Sequence, residues 1–159
     1  MRANDVSASA RMQRILLATD LTAASAVATD WAFTLAEREG AALLIVSVID
    51  PDELWLDHQR FAVRWDQVRD RRQAAAQELV ARGRPKGLDV TFLVWTGDPG
   101  ESIVSAAEAE AADLIVVGTH GRGSIGRLFL GSVSEYVVRH APCPVLVARP
   151  GNAGRSRPV

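Results

Sequence analysis

The sequence predicts a single α/β domain, an open and parallel five-stranded sheet with helices on both faces. Five short runs rich in isoleucine, leucine and valine alternate with four longer stretches of helical period, which is the pattern of β-α-β units. The inner runs are almost continuously apolar, as expected of strands covered on both faces. Of the 159 residues, 48% are hydrophobic and 23% are charged, which is typical of one globular domain. Because crossovers between parallel strands are right-handed, few topologies are possible for five strands and four helices, and among them we expect the strand order 3-2-1-4-5.

The first half of the chain supplies two strands and a helix. The run Arg14 to Thr19 (RILLAT) is nearly all apolar and predicts a central strand. From Ala23 to Gly40 the chain is rich in alanine, places Trp31 and Leu35 one turn apart and ends on a glycine, which predicts the first crossover helix. Ala41 to Ile49 (AALLIVSVI) predicts the second strand by the same apolar pattern.

The middle of the chain predicts the longest helix and the third strand. One helical face is expected to consist of Phe61, Trp65, Val68, Arg72, Ala75 and Leu79. Gly83 marks the expected end of this helix, and its arginines at positions 69, 71 and 72 are interpreted as a solvated face. The preceding stretch, Asp50 to Gln59, has no clear period and is interpreted as a loop or a frayed helix entry. Asp89 to Trp95 (DVTFLVW) is β-branched and aromatic, which predicts a strand.

The last third predicts two helices and two strands. Pro99 to Glu110 has its proline near a helix start. Asp113 to Val117 (DLIVV) is the fourth expected strand, and Ser132 to His140 is the fourth helix, with Ser132 as its N-cap. Pro144 to Ala148 (PVLVA) is the last strand, at the border of the sheet. In such a sheet a ligand crevice lies beyond the carboxyl ends of the strands, where strands 1 and 4 diverge.

Composition restricts the classes of function. Residues 1–13 and 150–159 are expected to be flexible tails around a domain spanning residues 14–149. Eighteen basic and nineteen acidic residues give a net charge of −1, which argues against a nucleic-acid partner. The longest apolar runs are less than half of the roughly 20 residues of a membrane span, and the N-terminus lacks a signal-peptide core. We therefore expect no membrane partner and a cytoplasmic location.

Residue types that often bind metals or carry catalysis are sparse. His58, His120 and His140 have no metal-ligand spacing relative to Cys143. We therefore expect no metal site built by the protein. Cys143, the single cysteine, excludes an internal disulfide and is interpreted as a buried, inert thiol.

Five glycines fall within the fourteen positions from Gly118 to Gly131, directly after the fourth expected strand. Glycine lets backbone N–H groups come close to a bound anion, and a following helix start adds unpaired donors and a partial positive charge. The segment therefore predicts an anion cradle. The alternative is that the glycines only shape a surface loop, but their position between a switch-point strand and a helix favours the cradle.

Three phosphate-binding motifs compete for this segment. Residues 121–126 match G-x-G-x-x-G, but that fingerprint belongs on the first strand of a βαβ unit, with an acid at the end of the next strand, which is missing here. A P-loop would need Lys and Ser or Thr where the chain has Arg127 and Leu128. The third pattern, G-x2-G-x9-G-S, fits residues 118–132.

With this third pattern the sequence resembles the universal stress protein family, in its ATP-binding subgroup. The segments that carry the resemblance are Thr19-Asp20, Ser47 to Asp50, Ala112 to Arg122, Leu130 to Ser134 and Pro142 to Val147. The resemblance implies a Rossmann-like fold of the adenine nucleotide alpha hydrolase type, and binding of ATP. If Mg²⁺ or Mn²⁺ accompanies the ATP, we expect the phosphates to hold it. Leu21 departs from the family pattern, in which glycine often follows the acid.

Carried over residue by residue, the resemblance implies that Asp20 and the backbone at Val48 hold the adenosine, and that Gly118 lies against the ribose. The residues that it implies around the phosphates are Gly121, Arg122, Gly131, Ser132 and Val133. From the residues alone, Asp20 could equally cap the next helix, with Thr22 and Ser25 nearby.

Three functions remain open from the sequence. The first is an ATP-binding regulatory module of the stress response that barely turns over, because no base, metal-binding carboxylate pair or arginine finger is identifiable. The second is a slow ATPase, which needs a water activator that the sequence does not disclose. The third is a structural dimer with an empty crevice. The resemblance also implies a homodimer through Val145 to Val147, and the unpaired backbone of an edge strand favours it.

Overall fold

The structure, a computed structural model of the chain, describes residues 11–54, 61–119 and 130–149. Five parallel strands form one sheet in the order 3-2-1-4-5. The strands are β1 (Arg14–Ala18), β2 (Ala42–Ile49), β3 (Val90–Thr96), β4 (Leu114–Gly118) and β5 (Val145–Ala148). The predicted parallel arrangement and strand order are confirmed.

Four α-helices connect the strands. They are α1 (Ala26–Glu39), α2 (Phe61–Gly83), α3 (Pro99–Ala109) and α4 (Ser132–His140). A short 3₁₀ turn at residues 23–25 opens the first predicted helix, and Gly40 follows its end with a φ of 64°, a left-handed conformation that glycine adopts without steric cost. Another 3₁₀ turn, at residues 51–54, lies in the stretch predicted as a loop or a frayed helix entry, and residues 55–60 lie outside the described part.

The helices cover the sheet on both faces, as predicted. Side chains alternate along each strand, so Ile15 and Leu17 of β1 pack on one face, together with Phe33 of α1. Leu16 packs on the other face, together with Ile103 of α3. All five side chains are buried. Since each face is covered, the ligand-accessible part of the sheet is the edge at which the strands end.

Helices α3 and α4 approach each other closely next to that edge. Asp98 caps α3, because its Oδ1 accepts the Glu101 N–H at 2.9 Å. A Cβ built on Gly100 would lie 2.8 Å from Cδ1 of Tyr136 in α4. Glycine at this position therefore lets the start of α3 lie against α4, beside the carboxyl end of β4.

Candidate functional site

A cavity of about 580 Å³ lies at the carboxyl ends of β1, β2 and β4. This is the crevice that the strand order predicts, where β1 separates its two neighbours. Its apolar lining includes Val46, Val117 and Ile103, and its polar lining includes hydroxyl, carboxylate and guanidinium groups. Its volume lies in the range of about 300–1,000 Å³ that is usual for small-molecule sites.

Six of the eight residues predicted to bind a nucleotide line this cavity. They come from four separate parts of the chain and are Asp20, Val48, Gly118, Gly131, Ser132 and Val133. The other two, Gly121 and Arg122, lie outside the described residues. Parallel strands bring distant residues together in this way because all their carboxyl ends meet at one edge of the sheet.

Asp20 follows β1 and forms a tight turn at the cavity. Its Oδ1 accepts the Thr22 backbone N–H at 3.0 Å and the Thr22 hydroxyl at 2.8 Å. Thr22, not Asp20, is the N-cap of the 3₁₀ turn before α1, which corrects the alternative of a helix-capping aspartate. The spacing of Asp20 and Thr22 is that of an Asx turn, a signal that the sequence does contain. Within the described residues, the second carboxylate oxygen of Asp20, Oδ2, has no hydrogen-bond partner.

A chain of buried hydroxyl groups forms hydrogen bonds with the backbone of this turn and stabilises it. Ser25 Oγ donates its proton to the Thr22 carbonyl at 2.9 Å. Because a hydroxyl has only one proton, Ser25 Oγ must accept the bond from Thr19 Oγ1, at 2.7 Å. Thr19 Oγ1 in turn accepts the Leu21 N–H at 3.0 Å. Leu21 has a φ of 62°, which is strained for a leucine, and these bonds hold it there.

The backbone of Val48 faces the cavity because of the sheet geometry. The Thr19 N–H donates to the Val46 carbonyl at 3.0 Å, so the backbone groups of Val46 point toward β1. Alternate residues of a strand direct these groups to the same side. Val48 therefore directs its N–H and carbonyl the same way, past the end of β1 and into the crevice.

The start of α4 presents backbone donors to the cavity. Its first intrahelical bond runs from the Glu135 N–H to the Gly131 carbonyl, at 2.9 Å. The N–H groups of residues 132–134 therefore have no acceptor within the helix. The N-cap is Gly131, with extended backbone angles and no side chain, whereas Ser132 is the first helical residue. The prediction of Ser132 as the cap was wrong by one position, and Ser134 Oγ instead donates to the Gly131 carbonyl.

Two arginines of α2 line the cavity, and the sequence interpretation missed them. Arg69 is exposed and pairs with Asp66 and Asp70, as a solvated helix face would. Arg72 is half-buried instead, and its Nη1 donates to the Ser47 hydroxyl at 2.8 Å and to the Val48 carbonyl. Arg71 also lines the cavity but is exposed. The apolar spacing of α2 includes position 72, and that spacing is the signal that could have separated Arg72 from the exposed arginines.

Cys143 and His140 lie outside the cavity lining. Cys143 is half-buried rather than fully buried, and burial raises the pKa of its thiol, with a smaller contribution from the charge of Asp113. His140 stacks on Tyr136 at 4.1 Å between ring centroids. Among the described residues, no three His, Cys, Asp or Glu side chains are grouped closely enough to hold a metal ion.

Fold and cavity together define a doubly wound α/β protein with a small-molecule crevice at the topological switch point of its sheet. The chain belongs to the universal stress protein family, whose family model matches residues 12–149. In residues 11–54, 61–119 and 130–149, no helix combines the length and hydropathy that a membrane span requires.

The chain is similar to known proteins along most of its length. A universal stress protein of Thermus aquaticus is 41% identical over 115 residues, which are 72% of this chain and 82% of the relative. The structure of a hypothetical protein, MJ0577, matches with a TM-score of 0.81 at 24% identity, over 90% of this chain and 99% of that one. A universal stress protein solved in complex with cAMP matches with a TM-score of 0.63 at 26% identity, over 87% of this chain and 98% of that one.

Proposed function

We propose that this protein binds ATP in the cavity and acts as a nucleotide-dependent regulatory module of the stress response. The observation that carries the proposal is the start of α4, where the N–H groups of residues 132–134 are left without helical acceptors at the cavity lining. Such donors, with the positive end of the helix dipole, favour a phosphate group. That a solved relative is described as a complex with cAMP supports an adenine nucleotide.

The rest of the cavity fits the nucleoside. Asp20 offers Oδ2 to a ribose hydroxyl or an amino group, while its Oδ1 stays bonded to Thr22. Val48 offers one backbone donor and one acceptor at the crevice, which suits the edge of a purine base. Gly118 lines the same cavity at the end of β4, and the ribose is assigned to this position. A divalent ion would be held largely by the phosphates.

Nucleotide content tests the proposal directly. We expect denaturation of freshly purified protein to release an adenine nucleotide that chromatography identifies, or, if none is retained, ATP to bind in a calorimetric titration. An ATP-dependent rise in the melting temperature should accompany binding. Release of no nucleotide together with no shift in millimolar ATP would contradict nucleotide binding and favour the alternative of a structural dimer with an empty crevice.

Gly131→Glu tests the phosphate cradle. Gly131 has a φ of −62°, so glutamate fits the backbone there without strain, but it places negative charge among the donors. Losing one charge-assisted hydrogen bond costs about 1.5–3 kcal/mol, or roughly ten- to a hundredfold in affinity, and we expect Gly131→Glu to exceed this loss in the titration. Ser105→Glu, on the exposed face of α3, adds the same charge away from the cavity and is the matched control. Equal ATP affinity of Gly131→Glu and wild type would show that the cradle is misplaced.

A further inference from the structure

The end of the cavity near Val48 contains a positive charge that the proposed function does not use. Arg72 reaches from α2 across the end of β2, and Nη1 bonds both Ser47 Oγ, at 2.8 Å, and the Val48 carbonyl. Ser47 is only 1% exposed, so the guanidinium is anchored to the interior of the domain. Two acceptors on one nitrogen restrict where the charge lies, in contrast to the exposed Arg71 beside it.

The Val48 carbonyl is also the acceptor that a purine base would meet there. In adenine the six-position carries an amino group, which donates hydrogen bonds, and in hypoxanthine it carries an oxygen, which accepts them. Arg72 already donates to this carbonyl. A positive donor beside the six-position repels an amino group and attracts an oxygen.

We propose that Arg72 is a specificity-determining residue that reads the six-position of a bound purine nucleotide by sharing the Val48 carbonyl. This inference rests on the proposed function, which assigns the base to Val48. With Arg72 present, the difference in affinity between a 6-aminopurine and a 6-oxopurine is small. Without the guanidinium, the same cavity favours the 6-aminopurine by a larger factor.

The experiment compares ATP with inosine triphosphate (ITP), which differs from ATP at the six-position and in the ring proton that accompanies it. Dissociation constants of both nucleotides are measured by calorimetry for the wild type and for Arg72→Met, which keeps an unbranched apolar stem but removes the guanidinium and its charge. We expect the ratio of the ITP to the ATP dissociation constant to rise at least tenfold in Arg72→Met. The ring proton meets the same Val48 N–H in both proteins, so its effect cancels between the two ratios.

Arg69→Met is the matched control, because Arg69 is an arginine of the same helix that is exposed and lies outside the cavity lining. Its ratio should equal that of the wild type. If Arg72→Met has no native melting transition, Ser47→Ala replaces it, because it removes one anchor of the guanidinium and should raise the ratio in the same direction by a smaller factor.

The possible results separate the two proposals. ATP and ITP binding with a ratio that stays within twofold in Arg72→Met, or in Ser47→Ala where that variant replaces it, overturns the role of Arg72 and leaves nucleotide binding standing. Failure of the wild type to bind either nucleotide overturns the proposed function, and the role of Arg72 with it.

Discussion

At the scale of single residues, Asp20 shows how one side chain can serve both the fold and a ligand. Its two oxygens have different surroundings, since Oδ1 holds the Thr22 N–H and hydroxyl while Oδ2 has no partner among the described residues. An Asx turn needs only one acceptor oxygen. The carboxylate can therefore keep the turn closed while its charge and second oxygen face a ligand.

Asp20→Asn separates these two roles. The asparagine oxygen can still accept from Thr22, so we expect the melting temperature to stay within about 2 °C of the wild type, a shift that corresponds to about 0.5–1 kcal/mol. Replacing a charged acceptor with a neutral amide should weaken ATP binding roughly tenfold in a calorimetric titration. Thr22→Ala should show the reverse pattern, a lower melting temperature with a smaller loss of affinity. Unchanged ATP affinity in Asp20→Asn would remove Asp20 from the proposed site.

Asp113 links the stability of the domain to pH. Its Oδ2 accepts the N–H groups of Arg14, at 2.9 Å, and Gln13, at 2.7 Å. These two hydrogen bonds hold the pKa of Asp113 below its ordinary value, and the bond from Arg14 has the larger effect. Desolvation acts in the opposite direction but is weaker. A carboxylate whose folded-state pKa is depressed adds stability that is fully present above its unfolded pKa, near 4. That stability is lost as the pH falls through the folded-state pKa.

The measurement is the free energy of unfolding of the wild type and of Asp113→Asn in urea, between pH 2 and pH 7. We expect the wild type to be the more stable protein at pH 7. The difference should shrink as the pH falls from about 4 through the lower folded-state pKa, because below both pKa values the wild-type carboxyl is neutral in the folded chain as well. A difference that is independent of pH over this range would contradict the role of the carboxylate charge.

At the scale of elements, helix ends decide how the chain turns back into the sheet. Helix α1 ends with Gly40, at a φ of 64°, whereas the exposed turn between α3 and β4 has Ala111 at a φ of 49°. Alanine in the left-handed region is strained by roughly 1 kcal/mol because its Cβ crowds the backbone. Both turns thus contain a residue in the left-handed conformation. Glycine adopts this conformation without strain in the first turn, whereas alanine is strained in the second.

Ala111→Gly should therefore stabilise the domain. We expect a gain of about 0.5 kcal/mol in the free energy of unfolding, which is what remains of the relieved strain after the greater flexibility of glycine in the unfolded chain is subtracted. Gly40→Ala is the opposite change and should destabilise the domain, because its Cβ would also lie 3.0 Å from Nη2 of Arg11. Both values are obtained from urea unfolding curves. If Ala111→Gly proved less stable than the wild type, backbone strain at this turn would be excluded.

At the scale of the whole molecule, β5 is an open edge of the sheet within the described chain. The carbonyls of Pro144 and Ala148 accept N–H groups of β4 and the residue after it, so the even-numbered residues of β5 face β4. The backbone groups of Val145 and Val147 consequently point outward. An edge of this kind is suited to pairing with another strand, and we propose that the partner is β5 of a second copy.

Val147→Pro tests this dimer without touching the β4 pairing. Proline removes the outward N–H of residue 147, and edge strands tolerate proline where the N–H faces away from the sheet. We expect light scattering at micromolar concentration to show a dimer for the wild type and a monomer for Val147→Pro, with a cooperative melting transition in both. Val147→Ala keeps the N–H and should remain dimeric. A wild type that is monomeric under these conditions would refute the proposed dimer.

The class of fold, the strand order and the position of nearly every element could be predicted from the amino-acid sequence. Those features depend on local information, the length and apolarity of Arg14–Ala18 or Ala42–Ile49 and the glycine at position 40, together with the fixed handedness of crossovers. The family resemblance also pointed to six residues that line the cavity. The resemblance identifies only residues that belong to a family motif. It therefore gave no information on the other residues that line the cavity.

The detailed construction of the cavity, in contrast, could not be predicted before the fold was known. Arg72 lies 25 positions from its acceptor Ser47 and 24 from its acceptor Val48. The helical spacing of α2 could have marked Arg72 as different from the exposed Arg69, but no local pattern could identify these two acceptors. The left-handed Leu21 is likewise held by hydroxyl groups whose bonding depends on the way α1 packs against the end of β1. Local sequence selects helix or strand, whereas the partner of a polar side chain is selected by which surfaces come together, and that choice is made only on folding.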